Sequence, residues 1–296
     1  MSHHSLPLIF GEVLFDCFPD GREKLGGAPF NVAWNLKALG MSPLLVSRVG
    51  DDDHGRRIRK KMKSWDMDIC FLQTDPSYPT GKVRIKLTNG EPQFTILPDQ
   101  AYDHISPLNT KLQNEPAFLY HGSLALRNDV SRDTLSLLKR NYKCPVFVDV
   151  NLRAPWWNAE NVYTFLEGAT WLKLNEDEMK TLFPEPGDFE HRCTTVLNRF
   201  NLEAVFVTRG SKGAFACTRE NLSATVKPGE NIDIADTVGA GDAFSSVLLL
   251  GLTKRWPLKT ILERAQEFAS AVVGMQGAVS EDKVFYHPFT SQWELQ

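Results

Sequence analysis

Apolar and polar positions along this chain follow two alternating rhythms. Short runs rich in β-branched and aromatic residues, at 8–14, 44–49, 117–121, 146–150, 171–174 and 204–208, predict buried strands. Between them, apolar residues recur at helical spacing over 30–39, 133–141 and 175–182. In the first of these helices Val32, Ala33, Leu36 and Leu39 share a face, and Gly40 stops it as a left-handed C-terminal glycine does. A further helix opens near 242, where Phe244, Val247, Leu248 and Leu252 line one side. Such alternation predicts an α/β fold in three layers, a mostly parallel sheet with helices on both faces.

One segment breaks the rhythm. Residues 80–88 alternate strictly, with Val83, Ile85 and Leu87 on one face and Lys82, Arg84 and Lys86 on the other. Asn89-Gly90 is a two-residue hairpin turn, and 93–97 returns with Phe94 and Ile96 on one face. A half-exposed antiparallel hairpin does not fit inside a buried parallel sheet. Together with the turn-rich stretch 15–25 it predicts a small β-sheet lid over the ligand edge; an edge hairpin without function is the plainer alternative. The hairpin's apolar face needs cover, which predicts a homodimer formed through the lid. No repeat or linker divides the chain, so 1–296 reads as a single domain with lid segments at about 15–25 and 80–98.

Bulk properties narrow the function. The 296 residues suffice for a large core, and a net charge of −3 argues against nucleic acid or an anionic membrane as partner. The basic run at 56–63 carries Ile58 and Met62 one turn apart and reads as the solvated face of a helix. Five cysteines (Cys17, Cys70, Cys144, Cys193, Cys217) include no Cys-x-x-Cys pair, which predicts reduced thiols. His191-x-Cys193 offers two ligands, too few for zinc. No apolar stretch approaches membrane-spanning length, and 1–7 shows no signal-peptide pattern. The expectation is a cytoplasmic protein.

The chemistry concentrates in Asp236-Thr237-Val238-Gly239-Ala240-Gly241-Asp242-Ala243-Phe244. Small residues leave the backbone N–H groups of Gly239, Ala240 and Gly241 bare at the head of a helix, a site for a phosphate. Asp242 sits at the same helix mouth, where it is expected to stay ionised and accept a proton. An anion hole beside a base is what phosphoryl transfer to an alcohol requires. By itself Gly-x-Gly before a helix is equally a tight strand-to-helix turn, and it matches neither the dinucleotide fingerprint nor a Walker A loop.

Further motifs decide between these readings. They are Gly11-Glu12-Val13-Leu14-Phe15-Asp16, Gly26-Gly27-Ala28-Pro29-Phe30-Asn31, Asp149-Val150-Asn151-Leu152-Arg153, Asn175-Glu176-Asp177-Glu178 and Thr208-Arg209-Gly210-Ser211-Lys212-Gly213. In this order, with the 236–244 motif, the chain resembles the ribokinase-like (PfkB) carbohydrate kinases over nearly its whole length, and bacterial fructokinases in particular. The resemblance implies a ribokinase-like fold and an ATP-dependent sugar kinase using Mg²⁺. It places the sugar on Asp16, Gly26, Gly27 and Asn31, with Phe94 and Asn151 also lining its site. Asp16 is read at the end of the first strand, where it would accept hydrogen bonds from neighbouring hydroxyls. Asp242 becomes the general base. Arg153 steadies the migrating phosphoryl group, or grips a carboxylate if the substrate is a sugar acid.

Nucleotide contacts fall on Asn175, Thr208, Gly210, Gly213 and Gly241, with Glu178 reaching Mg²⁺ through water. Asp236 marks a monovalent-cation site, with potassium as the candidate ion and backbone oxygens near Val238 and Gly277 as its other contacts. The preferred substrate is D-fructose, phosphorylated at O6. The alternatives are 2-keto-3-deoxygluconate, an aminoimidazole riboside or another ketohexose, and, in a different class, an idle sugar or nucleotide sensor on a kinase fold.

Overall fold

The computed structural model describes residues 6–88, 91–229 and 235–295. Thirteen strands occur among them: β1 (Leu8–Phe10), β2 (Leu14–Cys17), β3 (Glu23–Gly26), β4 (Leu44–Gly50), β5 (Leu72–Asp75), β6 (Gly81–Thr88), β7 (Glu91–Ile96), β8 (Leu119–His121), β9 (Val146–Asp149), β10 (Trp171–Asn175), β11 (Ala204–Thr208), β12 (Ala214–Thr218) and β13 (Ser223–Val226). The helices are α1 (Ala28–Ala38), α2 (Asp53–Ser64), α3 (Asp129–Asn141), α4 (Ala159–Leu166), α5 (Glu176–Leu182), α6 (Phe189–Arg199), α7 (Ala240–Lys254), α8 (Leu258–Val273) and α9 (His287–Gln292).

Nine strands form one sheet in the order β13-β12-β11-β10-β9-β8-β1-β4-β5. Pairing is parallel from β11 to β5, while β12 and β13 extend the sheet antiparallel. Alternation along the strands divides the core. Ile9, Leu45, Phe147 and Phe206 face α1, α2, α7 and α8. Leu8, Val46, Val148 and Leu172 face α3 to α6. This is the predicted three-layer α/β/α arrangement. On α2, Ile58 and Met62 are buried while most of the basic residues project outward, as read from the sequence.

The chain runs from β1 outward to β4 and β5, then returns on the other side of β1 to β8. That reversal opens a crevice at the carboxyl ends of the strands, where ligands of open α/β sheets bind. A second sheet, β3-β2-β6-β7, is the lid. Its two halves come from the two segments expected.

Two expectations need correction. Residues 8–14 are not one strand: β1 ends at Phe10 and the chain turns away at Gly11, where φ is 146° and a Cβ would fall 2.4 Å from Pro29 Cγ. Asp16 therefore belongs to lid strand β2, opposite Lys24 of β3 and Val83 of β6, rather than ending the first strand. The argument for a dimer also loses its premise. Val83 and Ile85 are already buried within the chain, Val83 among Leu14, Tyr102 and their neighbours. The side chain of Leu87 and the Asn89-Gly90 turn lie outside the described residues.

Candidate active site

The site is built where α1 and α7 begin, side by side beneath the lid. Gly27 caps α1 with φ 109°, and a Cβ there would meet the Glu12 carbonyl at 2.7 Å. Only glycine lets this turn press against the exit of β1. Its neighbour Gly26 is buried, and a Cβ built on it would lie in ordinary contact, 3.7 Å from Asp16 Oδ2 and 3.9 Å from Asn31 Oδ1. Asn31, one turn into α1, donates from Nδ2 to Asp242 Oδ2 at 2.8 Å, tying the two helix heads together. Its own Oδ1 is buried without a partner, an acceptor free for a ligand hydroxyl.

At the head of α7, Gly239 adopts φ 84° and a Cβ there would fall 2.3 Å from Ala278 Cα. Ala243 makes the first helical bond, to the Gly239 carbonyl, so the amides of Gly241 and Asp242 precede the hydrogen-bonded ladder. The Ala240 amide is partly engaged by Thr237 O at 3.4 Å. Asp236 ties this turn to the C-terminal loop: its Oδ1 accepts from Val238 N at 3.0 Å and its Oδ2 from Gly277 N at 3.1 Å. The loops expected around a monovalent cation are thus brought together.

Electrostatics bind the cluster further. Burial pushes Asp242 up to about 6, against the Asn31 hydrogen bond and the charges of Lys173 and Arg153, which pull it down. The helix terminus does not hold this carboxyl at its ordinary value, because loss of water outweighs it. Asp242 nonetheless remains partly exposed and mostly ionised at neutral pH. Asp16 is likewise raised by burial to about 6, opposed by Lys24 and Arg153. Glu12, buried with Oε2 unpartnered, is lifted by burial to about 7. The exposed Arg153 acts on all three carboxyls, so its charge stands among them.

A second group lies along the strand ends. Asn151 takes a left-handed φ of 45°, and the next amide, Leu152 N, donates to Glu178 Oε1 at 2.8 Å. Glu178 Oε2 accepts from Asn175 N at 2.8 Å, while Asn175 Oδ1 caps α5 by accepting from the Asp177 and Glu178 amides. Glu178 is therefore buried and locks two loops together, with each oxygen already accepting an amide. Thr208 stands beside Asn175 across the β10–β11 pair. Gly210, exposed at φ 55°, opens the short turn to β12. Gly213 is buried, and a Cβ there would strike the Val226 carbonyl; packing of β13 explains this glycine. Phe94 is 57% exposed on the lid's outer strand, two strands from Asp16, roughly 10 Å across the sheet.

No three His, Cys, Asp or Glu side chains gather into a metal-binding group among the described residues.

The family model described as pfkB family carbohydrate kinase matches residues 18–283. The chain belongs to this family. It is 26% identical over 292 residues to a fructokinase of Escherichia coli, covering 92% of this chain and 94% of that one. A solved fructokinase from Vibrio cholerae O395, in a fructose-, ADP- and calcium-bound form, superposes with a TM-score of 0.78 at 25% identity, over 96% of this chain and 98% of that one. A sugar kinase from Pyrococcus horikoshii in complex with ATP gives 0.76 at 26% identity, over 92% and 94%. The protein is an ATP-dependent carbohydrate kinase with a ribokinase-like fold. All five cysteines are free, and among the described residues no helix is long and apolar enough to cross a membrane.

Three charged residues of the kinase have no role legible in its motifs. Glu12 and Asp149 lie within motifs whose other residues carry the chemistry. Lys173 lies in a strand-forming run, although a lysine flanked by Leu172 and Leu174 in a buried run is itself a signal.

Proposed function

We propose that this kinase transfers the γ-phosphoryl group of ATP to the O6 hydroxyl of D-fructose, with Asp242 as general base. The observation that carries the reading is the Asn31–Asp242 hydrogen bond. It fixes a partly exposed carboxylate at the head of α7, beside amides that precede the helical ladder. The sugar lies against Gly26, with hydroxyls donating to Asp16 Oδ2 and Asn31 Oδ1. Asp242 accepts the proton of the attacking hydroxyl as the oxygen closes on phosphorus. The Gly241 and Asp242 amides take up charge on the transferring group, and Arg153 steadies it. Magnesium on the nucleotide would neutralise phosphate charge, and Glu178 would hold it through water. Asn175, Thr208 and Gly210 line the nucleotide side. Potassium near Asp236 would stiffen the 236–239 turn. The β2–β3 and β6–β7 strands exclude water, the competing acceptor.

Fructose is favoured by the likeness to fructokinases, one of which holds fructose and ADP. Asp242→Asn is expected to bind sugar normally and lose turnover by about 10²–10⁴-fold; unchanged turnover rules out the base. A panel of sugars assayed with ATP and magnesium tests the acceptor, and sugar-dependent ATP consumption separates a kinase from an idle sensor.

A second substrate, 2-keto-3-deoxygluconate, is favoured by one observation: the exposed Arg153 guanidinium bonds only to the adjacent Leu152 carbonyl among the described residues, leaving it able to grip a carboxylate. A preference for the sugar acid that disappears in Arg153→Ala would replace the fructose assignment.

A further inference from the structure

Beneath the 239–241 turn lies a buried ion pair. Lys173 and Asp149 stand directly opposite each other across β10 and β9, with their side chains on the sheet face that packs against α7. Lys173 Nζ is 3.0 and 3.1 Å from the two Asp149 oxygens. Both side chains are more than nine-tenths buried. Asp149 Oδ2 also accepts from Ser245 Oγ at 2.7 Å and from Tyr120 OH at 3.3 Å. Burial works against the charge on Lys173, but the carboxylates of Asp149, Glu178 and Asp242 and the Asp149 hydrogen bond together outweigh it, and the ammonium stays protonated.

A pair of this kind is a poor way to stabilise a core, since apolar residues of equal volume usually do as well or better. Its placement offers another reason. Lys173 Nζ lies 3.2 Å from the position a Cβ would take on Gly241, so the ammonium touches the underside of the first turn of α7. Asp149 is bound one turn further along, at Ser245. The positive end of the pair thus sits at the helix N-terminus and the negative end deeper in, parallel to the helix dipole. An ammonium has three donors, and Asp149 engages two directions at most.

We propose that Lys173 is a positioning residue for phosphoryl transfer: it holds the 239–241 turn at a fixed height above the sheet and sets a positive charge beneath the migrating group. This rests on the reading of that turn as the phosphoryl cradle. It also accounts for glycine at 241, where a side chain would press on the ammonium.

The comparison that tests the charge is the wild-type protein against Asp149→Asn/Lys173→Met. Neither leaves an unpaired buried charge, and the amide keeps an acceptor for Ser245. Circular dichroism and thermal melting check folding, sugar affinity is measured by calorimetry, and kcat and KM for both substrates by a coupled ADP assay. The expected result is a kcat about 10–100-fold lower in the double variant than in the wild type, with sugar affinity within about threefold. Equal kcat in the two overturns the proposal, as does a loss seen wholly in sugar KM, which marks a loosened cleft. If the double variant does not fold, Asp149→Asn/Lys173→Gln carries the same comparison with a polar side chain of similar length. Failure of the base assignment reads out separately, as turnover surviving in Asp242→Asn.

Discussion

Asp242 carries its charge at the expense of the fold, and this can be measured. Burial lifts its carboxyl from 3.8 to about 6. That displacement corresponds to about 3 kcal/mol between the protonated and ionised forms. A carboxyl raised in the folded state binds its proton more tightly folded than unfolded. Below about pH 4 both states hold the proton and nothing is lost. Between about pH 4 and 6 the unfolded chain ionises first, and above about pH 6 the full penalty is present. Asp242→Asn removes the charge while its amide oxygen can still accept from Asn31. Because the side chain is partly exposed, water relieves some of the penalty, and the expected gain is about 1–3 kcal/mol. For a chain of this size that is a rise of roughly 2–5 °C in Tm. Thermal melts of both proteins near pH 8 and near pH 4 test it. The Asp242→Asn variant should melt higher near pH 8, and the two should converge near pH 4. Equal Tm near pH 8, or a gain that persists unchanged near pH 4, refutes the argument that desolvation sets this carboxyl.

Two other outcomes follow from the same geometry. In Asn31→Ala the hydrogen bond that holds Asp242 down is gone, so its pKa rises above about 6; the acid limb of kcat moves to higher pH, by about one pH unit or more for a charge-assisted bond of about 1.5–3 kcal/mol. A pH–rate profile in which only the plateau falls contradicts this. Gly239→Ala places a Cβ 2.3 Å from Ala278 Cα at φ 84°, displacing the turn from the 277–278 loop; turnover should drop at least about tenfold with about 1–3 kcal/mol of stability lost, and wild-type values in both assays would show that the turn tolerates the shift.

The amino-acid order alone determined the layered fold, because period-two and period-3.6 patterns read out burial locally and need no knowledge of neighbours. It determined the lid, since the alternation at 80–88 cannot sit inside a parallel sheet. It also marked Asp242 as a candidate by its place at a helix mouth among small residues, whereas Asn31 and Gly27 became candidates through the resemblance to PfkB carbohydrate kinases. Only the tertiary structure decided where Asp16 stands, because the exit at Gly11 depends on Pro29, far off in sequence, occupying the space a side chain would need. The same holds for the hairpin's apolar face: a pattern shows that Val83 needs cover, but not that Leu14 and Tyr102 provide it. Buried charge is the clearest case. Lys173 and Asp149 are 24 residues apart and meet because β9 and β10 pair in register, and the height of Asp242 on the pH scale follows from how much water the assembled helices exclude. Desolvation is a sum over every neighbour in space, and no local stretch of sequence contains it.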